Sequence, residues 1–169
     1  MTSMKSIKIA KMTFNVGAGK DQNVLEKGML LLKMITGIEP IKTVSDKRIP
    51  SWGVRPGLPV GTKITIRDAD KIKDLVTRLL KAKEGKLRKS CFDLAGNVSF
   101  GIHEYIDIPG VDYDPKIGIM GFQVSLTLTR PGFSIAKKLT KRKVGKNHLI
   151  SQDDAIAFMK ETFGIEVTE

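Results

Sequence analysis

Two eight-residue segments of this chain, 60–67 and 122–129, alternate between two kinds of side chain. In the first segment Lys63, Thr65 and Arg67 share one parity and isoleucines occupy the other, and in the second Phe, Val and Leu alternate with Gln, Ser and Thr. A period of two is typical of a strand with one face on a core and the other in solvent. The alternation therefore restricts the chain to folds that contain a one-sided, antiparallel sheet.

Three further segments are predicted to be strands: 6–16, 41–44 and 98–106. The apolar residues of 6–16 change parity between Ile9 and Met12, which predicts a β-bulge near residues 10–11.

Apolar residues also recur at helical spacing in three places. Asp21 or Asn23 is expected to cap the first helix and Asp70 the second, while Ser151 with Asp154 resembles a capping box for the third. The glycines expected to end these helices are 37, 85 and 164. We predict an α+β fold, in which helices pack on one face of an antiparallel sheet and leave the other face to a partner. No linker or repeat divides the chain, so 1–169 is expected to be a single domain with residues 1–5 as a loose N-terminus.

The positive charge is concentrated in two segments. The chain has 29 Lys and Arg against 18 Asp and Glu, a formal charge of +11. Residues 41–90 contain 14 basic and 5 acidic side chains, and 137–150 contain 6 basic and none acidic. Such segments can be solubilising faces or bind an anionic membrane, but two of them separated by an acidic stretch favour a nucleic acid. Together with the polar sheet face, the charge predicts RNA binding.

The residues that could carry catalysis do not form a known constellation. Around Gly17 to Lys20, Phe14 and Asp21 replace the glycine and hydroxyl residue of a phosphate-binding loop, and Gln22 replaces the last glycine of the dinucleotide motif. His103 and His148 are 45 positions apart, and neither has an identifiable partner. We therefore predict no enzyme activity, cofactor or metal.

Cysteine usage and hydropathy limit the setting of the protein. The one cysteine, Cys91, cannot form an internal disulfide and is predicted to be a small core residue, as in a reducing cytosol. No apolar run approaches the ~20 residues of a membrane helix, and lysines interrupt the start of the chain, so neither a membrane span nor a signal peptide is expected. The acidic residues Asp107, Asp112 and Asp114 are predicted to lie in a polar surface loop.

An ordered series of short motifs spans residues 6–167 and resembles one ribosomal family. The motifs are Asn15-Val16-Gly17-Ala18-Gly19, Trp52-Gly53-Val54-Arg55, the segment 59–67, Phe92-Asp93, the segment 96–102, Glu104-Tyr105-Ile106-Asp107, Tyr113-Asp114-Pro115, Gly118-Ile119 and Arg130-Pro131-Gly132-Phe133. Each is weak alone, but their order is similar to that of large-subunit ribosomal protein five, the binder of 5S ribosomal RNA, in its archaeal and eukaryotic form.

The resemblance implies a structural protein of the cytoplasmic ribosome, located in the central protuberance of the large subunit. Its expected partners are 5S ribosomal RNA, large-subunit ribosomal RNA, transfer RNA in the P site and, through a bridge near 107–116, protein thirteen of the small subunit. No homo-oligomer is expected. An RNA-processing or RNA-modifying enzyme and an extra-ribosomal, protein-binding regulator remain as alternatives.

Three sets of residues are predicted to make these contacts. The 5S RNA set, which joins the family's surface to the outward sheet positions, is Asn15, Gly17, Lys20, Lys63, Thr65, Arg67, Thr127, Thr129 and Arg130. The loop 48–59 matches the one that approaches P-site transfer RNA, and the contact set here is Lys47, Arg48, Ser51, Trp52, Gly53 and Arg55. Further phosphate contacts to ribosomal RNA are expected from the second basic segment, at Lys137, Lys138, Lys141, Arg142, Lys143 and Lys146.

Overall fold

The computed structural model describes residues 4–138 and 142–168. Within these residues the chain forms seven strands and three α-helices. Their order is β1 (Lys8–Gly17), α1 (Gln22–Thr36), β2 (Ile41–Val44), β3 (Pro59–Ile66), α2 (Ala69–Ala82), β4 (Lys86–Arg88), β5 (Val98–Ile102), β6 (Phe122–Thr129), α3 (Gln152–Phe163) and β7 (Glu166–Thr168).

Five of these strands form one antiparallel sheet in the order β2-β3-β1-β6-β5. The predicted bulge in the central strand is confirmed, because the β1–β6 register shifts between Ile9 and Lys11. The extra residue lets the apolar side chains on both sides of the bulge reach the same core. This architecture confirms the predicted fold class.

The three helices cover one face of the sheet. Met12 and Phe14 of β1 are fully buried there, and α1 packs against β3 and β1 while α2 packs against β1. Ala155 and Met159 of α3 belong to the same core. The opposite face of the sheet, here called the outer face, consists of the alternate positions along each strand.

The helix caps agree with the sequence at two of three sites. The Asp21 side chain caps α1, and Ser151 with Asp154 forms the predicted capping box on α3. The prediction for α2 is wrong by two residues, because Asp68 accepts the N-terminal hydrogen bond, from the backbone N–H of Asp70. Both aspartates precede the apolar stripe, and the earlier one has the extended backbone that a cap needs.

Two other expectations fail in the region after α2. The strand expected over 98–106 ends at Ile102, because the chain turns at Tyr105–Asp107 to bury the Tyr105 ring in the core. A parallel pair of three-residue strands, β4 with β7, was not predicted. Segments this short carry no readable alternation.

A buried cation connects the end of β6 to the start of α3. Arg130 is 9% exposed, and its Nη2 lies 2.9 Å from Oδ2 of Asp154. Its Nη1 donates to the carbonyl of Leu149 at 3.1 Å. The pKa of Asp154 is lowered, first by the hydrogen bond from the Ser151 backbone N–H and, to a lesser extent, by the Ser151 hydroxyl and Arg130, against the opposing effect of partial burial.

We expect Asp154→Asn to lower the free energy of unfolding by about 1–3 kcal/mol near neutral pH, because it removes the carboxylate beside a buried guanidinium. A lowered pKa means that the carboxylate stabilises the fold above the ordinary aspartate range and that this contribution disappears as pH falls through the folded pKa. The difference between parent and variant should therefore shrink below roughly pH 4. Denaturant unfolding at several pH values measures it. Asp153→Asn, in the same helical turn, is the matched control, and equal destabilisation of both variants would contradict the assignment.

Candidate nucleic-acid interface

The outer face presents polar side chains in rows that cross the sheet. One row holds Thr65, Thr13, Ser125 and Ser99, which lie opposite one another in β3, β1, β6 and β5. The hydroxyls of Ser99 and Ser125 are 3.0 Å apart. The next row holds Ile41, Lys63, Asn15, Gln123 and Gly101. The strands thus bring Asn15, Lys63, Thr65 and Thr127 of the predicted 5S RNA set onto one surface.

The five strands of this sheet contain no aspartate or glutamate. Lys8, Lys11 and Lys63 lie on the outer face, Lys42 has the opposite parity in the edge strand, and the exposed Arg67 follows directly after β3. A surface of cations, hydroxyls and amides without carboxylates can attract phosphates and form hydrogen bonds with sugars at the same time.

Lys8 and Lys11 belong to the outer face, although the sequence prediction omitted them. Lys8 pairs with Thr129 and Lys11 with Thr127, on either side of the bulge. The bulge itself was readable from the sequence, and it is the reason that two lysines three residues apart share a face. The signal was present in the change of parity between Ile9 and Met12, and its consequence for the lysines was missed.

The turn after β1 joins the outer face to the basic loop that follows β2. The backbone N–H groups of Ala18 and Gly19 both donate to the carbonyl of Val60, at 2.9 and 3.0 Å. Lys20 then extends toward the loop, where its Cδ would lie 3.6 Å from a Cβ placed on Gly53. Lys20 is therefore closer to the predicted transfer RNA set than to the sheet residues with which it was grouped.

The basic loop is a short hairpin with its own hydrogen bonds. Ile49 and Val54 exchange two backbone hydrogen bonds, of 2.9 and 3.1 Å, and the Val54 side chain is buried. Between them a single helical turn, Pro50–Trp52, ends at Gly53 with φ of 66°. The Trp52 side chain at the tip is 70% exposed. The remaining members of the predicted set, Lys47, Arg48, Ser51 and Arg55, are exposed as well.

Arg130 differs from the rest of the predicted 5S RNA set. Its guanidinium is buried and bonded to Asp154 and Leu149, so its hydrogen-bonding groups face the interior. The neighbouring Thr129 hydroxyl donates to the Arg130 carbonyl at 3.4 Å. Arg130 therefore has a structural position that its place in the sequence did not reveal, because Asp154 is 24 residues further on.

The second basic segment is only partly described. Lys138, Arg142, Lys143 and Lys146 are exposed, and Lys137 ends the helical turn Phe133–Lys137. Lys141 lies outside the described residues. Behind this segment His148 Nε2 lies 2.8 Å from the carbonyl of Pro131.

Metal sites and membrane spans are both missing from the described part of the chain. No group of three or more His, Cys, Asp or Glu within it has a geometry that could hold a metal ion. Likewise, none of its helices has the length and apolar character needed to cross a bilayer. Cys91, predicted as a core residue, is half-buried at the edge of the core.

Comparison with known proteins identifies a consistent set of relatives. Residues 59–158 match the family model for the C-terminus of ribosomal protein five, uL5. The chain is 39% identical over 168 residues to the large ribosomal subunit protein uL5 of Sulfurisphaera tokodaii, covering 98% of this chain and 94% of that protein. It is 40% identical over 165 residues to the uL5 of Nanoarchaeum equitans, covering 97% of each, and 43% identical over 165 residues to that of Nitrosopumilus maritimus, covering 97% and 95%.

The double variant Lys8→Ala/Lys11→Ala is expected to weaken binding to a generic RNA duplex, since both lysines lie on the outer face. The slope of log K against log salt should become shallower by roughly 0.7–0.9 for each phosphate that the protein no longer neutralises. Fluorescence anisotropy at several salt concentrations measures both effects. Lys71→Ala/Lys73→Ala, on the exposed side of α2, removes the same charge from the opposite side. Equal slopes for the two variants would place the RNA elsewhere.

Proposed function

The chain belongs to the uL5 family of ribosomal proteins and is a structural, non-enzymatic constituent of the large ribosomal subunit, and from this we propose that it binds 5S ribosomal RNA through the outer face of its sheet. In that position it helps to attach the 5S RNA to the subunit in the central protuberance and also contacts large-subunit ribosomal RNA. Membership in the family gives a location in the cytoplasmic ribosome and ribosomal RNA as a partner.

One observation carries the proposal: the outer face presents lysines from two adjacent strands, and none of the five strands contains a carboxylate side chain. An RNA helix presents phosphates and 2′-hydroxyls over a wide, shallow surface. Lysines in β1 and β3 with hydroxyls between them complement that surface, and backbone contacts of this kind supply most of the affinity. The exposed lysines of 142–146 would extend the contact to large-subunit RNA.

The proposal extends to transfer RNA at the hairpin around Ile49 and Val54. Its backbone hydrogen bonds and the buried Val54 side chain hold the tip in place. The exposed Trp52 ring offers a stacking surface, and Arg48 and Arg55 are exposed for phosphates. A projecting, preorganised hairpin of this composition suits contact with the P-site transfer RNA.

A bridge to protein thirteen of the small subunit is proposed at the loop 107–116. The buried Tyr105 anchors this loop, because its hydroxyl accepts a 3.0 Å hydrogen bond from the backbone N–H of Asp114. Arg78 of α2 donates to the carbonyl of Pro109 at 3.1 Å. The loop then exposes Asp107, Asp112 and Tyr113. An anchored acidic and aromatic surface fits a basic protein partner.

We expect Lys63→Ala/Arg67→Ala to weaken 5S RNA binding by about tenfold or more, since each charge-assisted contact contributes about 1 kcal/mol or more. Filter binding to archaeal 5S ribosomal RNA at moderate salt measures the change. The parent protein should bind with a steep salt dependence, and Lys71→Ala/Lys73→Ala serves as the charge-matched control. Parent-like affinity of the Lys63/Arg67 variant would exclude this part of the sheet from the interface.

The hairpin should be separable from the sheet in a second measurement. Arg48→Ala/Arg55→Ala is expected to leave 5S RNA affinity within about twofold of the parent, while ribosomes that carry the variant bind P-site transfer RNA about fivefold or more weakly. The physical reason is that the backbone bonds between Ile49 and Val54 preserve the hairpin after the arginines are removed. The Lys63/Arg67 variant is the reciprocal control, and weakened 5S RNA binding with unchanged transfer RNA binding would reverse the assignment.

A further inference from the structure

Two glycines on the outer face have no explanation inside the protein. Gly17 and Gly101 lie in β1 and β5, and neither is among the glycines with positive φ. A Cβ on Gly17 would meet no described atom within 4 Å, and one on Gly101 would have its nearest neighbour, the Phe122 carbonyl oxygen, at 4.0 Å. Glycine weakens a strand, and in such a position it often marks the close approach of a ligand.

Two other glycines of the same surface provide the contrast. A Cβ on Gly61 would lie 2.6 Å from the carbonyl oxygen of Val16, and one on Gly121 would lie 2.6 Å from that of Ile102. Packing within the protein therefore requires glycine at 61 and 121. At 17 and 101 the space above the strand is open, so the requirement must come from outside the chain.

Both unexplained glycines line one groove at the β1–β6–β5 end of the outer face. The groove has a volume of about 390 Å³, and its lining includes Asn15, Gly17, Gly101, His103, Gly121 and Gln123. A second groove along Ser99 and Ser125 shares Gly101 and Gln123 with it. The floor is thus flat and without side chains, while amides and an exposed imidazole stand around it.

The chemistry of the lining distinguishes a base from a phosphate. Asn15 Nδ2 donates to Gln123 Oε1 at 3.3 Å, which leaves the Asn15 carbonyl oxygen and the Gln123 amino group for a ligand. An adjacent acceptor and donor match the edge of a nucleobase. None of the described residues that line the groove is a lysine or arginine, whereas a phosphate site would need cations or converging N–H donors.

We propose that this groove binds an unpaired nucleobase of the RNA, with the base lying on the glycine floor, its edge read by Asn15 and Gln123, and His103 at the rim. The inference rests on the proposed RNA-binding function and deepens it, because it adds base recognition to phosphate contact. Single-stranded and bulged nucleotides are the usual targets of such readout, since their bases are free to leave the stack.

The test is a methyl group on the floor. Gly101→Ala and Gly17→Ala should keep or raise the melting temperature, because the added Cβ has open space and alanine favours the strand, yet each should weaken 5S RNA binding roughly tenfold, which corresponds to one base that can no longer stack. Higher stability combined with lower affinity is an outcome that a structural role cannot produce. Gly145→Ala, which also adds a methyl group into open space but lies outside the groove, should change neither quantity.

Chemical probing then identifies the ligand. Parent protein should protect one or a few unpaired bases of 5S RNA from base-specific reagents, and Gly101→Ala or Gln123→Glu should abolish that protection while sugar–phosphate protections and the salt slope persist. A variant that abolished sugar–phosphate protection alone would overturn base recognition, as would parent-like affinity of Gly101→Ala. Failure of the parent itself to bind 5S RNA would refute the proposed function and is distinguished by measuring it first.

Discussion

The bulged central strand β1 sets the geometry on which the rest of the structure depends. It pairs with β3 on one side and β6 on the other, and its Met12 and Phe14 are fully buried. A shift of one residue in a strand transfers every side chain to the other face. The bulge between Ile9 and Lys11 makes that shift once, so the apolar residues before and after it pack on the same core. As a consequence, Lys8 and Lys11 both face outward, and the same irregularity that completes the core supplies part of the basic surface.

Several acidic residues lie where they stabilise the fold without opposing an RNA. Asp21, Asp68 and Asp154 all serve at helix N-termini, where a carboxylate satisfies free N–H groups and interacts favourably with the helix dipole. Because the helices cover the inner face, these carboxylates are kept off the outer one. The layer architecture therefore separates the charges, and a formal charge of +11 becomes a one-sided field that can orient the protein on a polyanion.

Sequence patterns predicted what depends on neighbours along the chain and failed where distant residues decide. The strands at 59–66 and 122–129 and the helix stops at Gly37 and Gly164 follow from local periodicity and backbone freedom, and all are present. The early end of β5 was not predictable, because it depends on Tyr105 reaching a core built by other elements. Likewise, Arg130 resembled an exposed RNA contact until the fold brought Asp154 beside it. The outer face was identified as a set of strands, but its rows needed the register.

The register also separates two tasks that a basic surface alone would merge. Lysines spread over neighbouring strands give affinity that any RNA can use, because phosphates are the same in every sequence. Specificity needs groups that both donate and accept, placed where a base can come close. The glycine-floored end of the sheet, with Asn15 and Gln123 joined across β1 and β6, has those groups, and its described lining has no cationic side chain of lysine or arginine. A strand that tolerates glycine where its own packing does not require it gives up some stability, and a ligand that needs the open space is the physical reason to retain it.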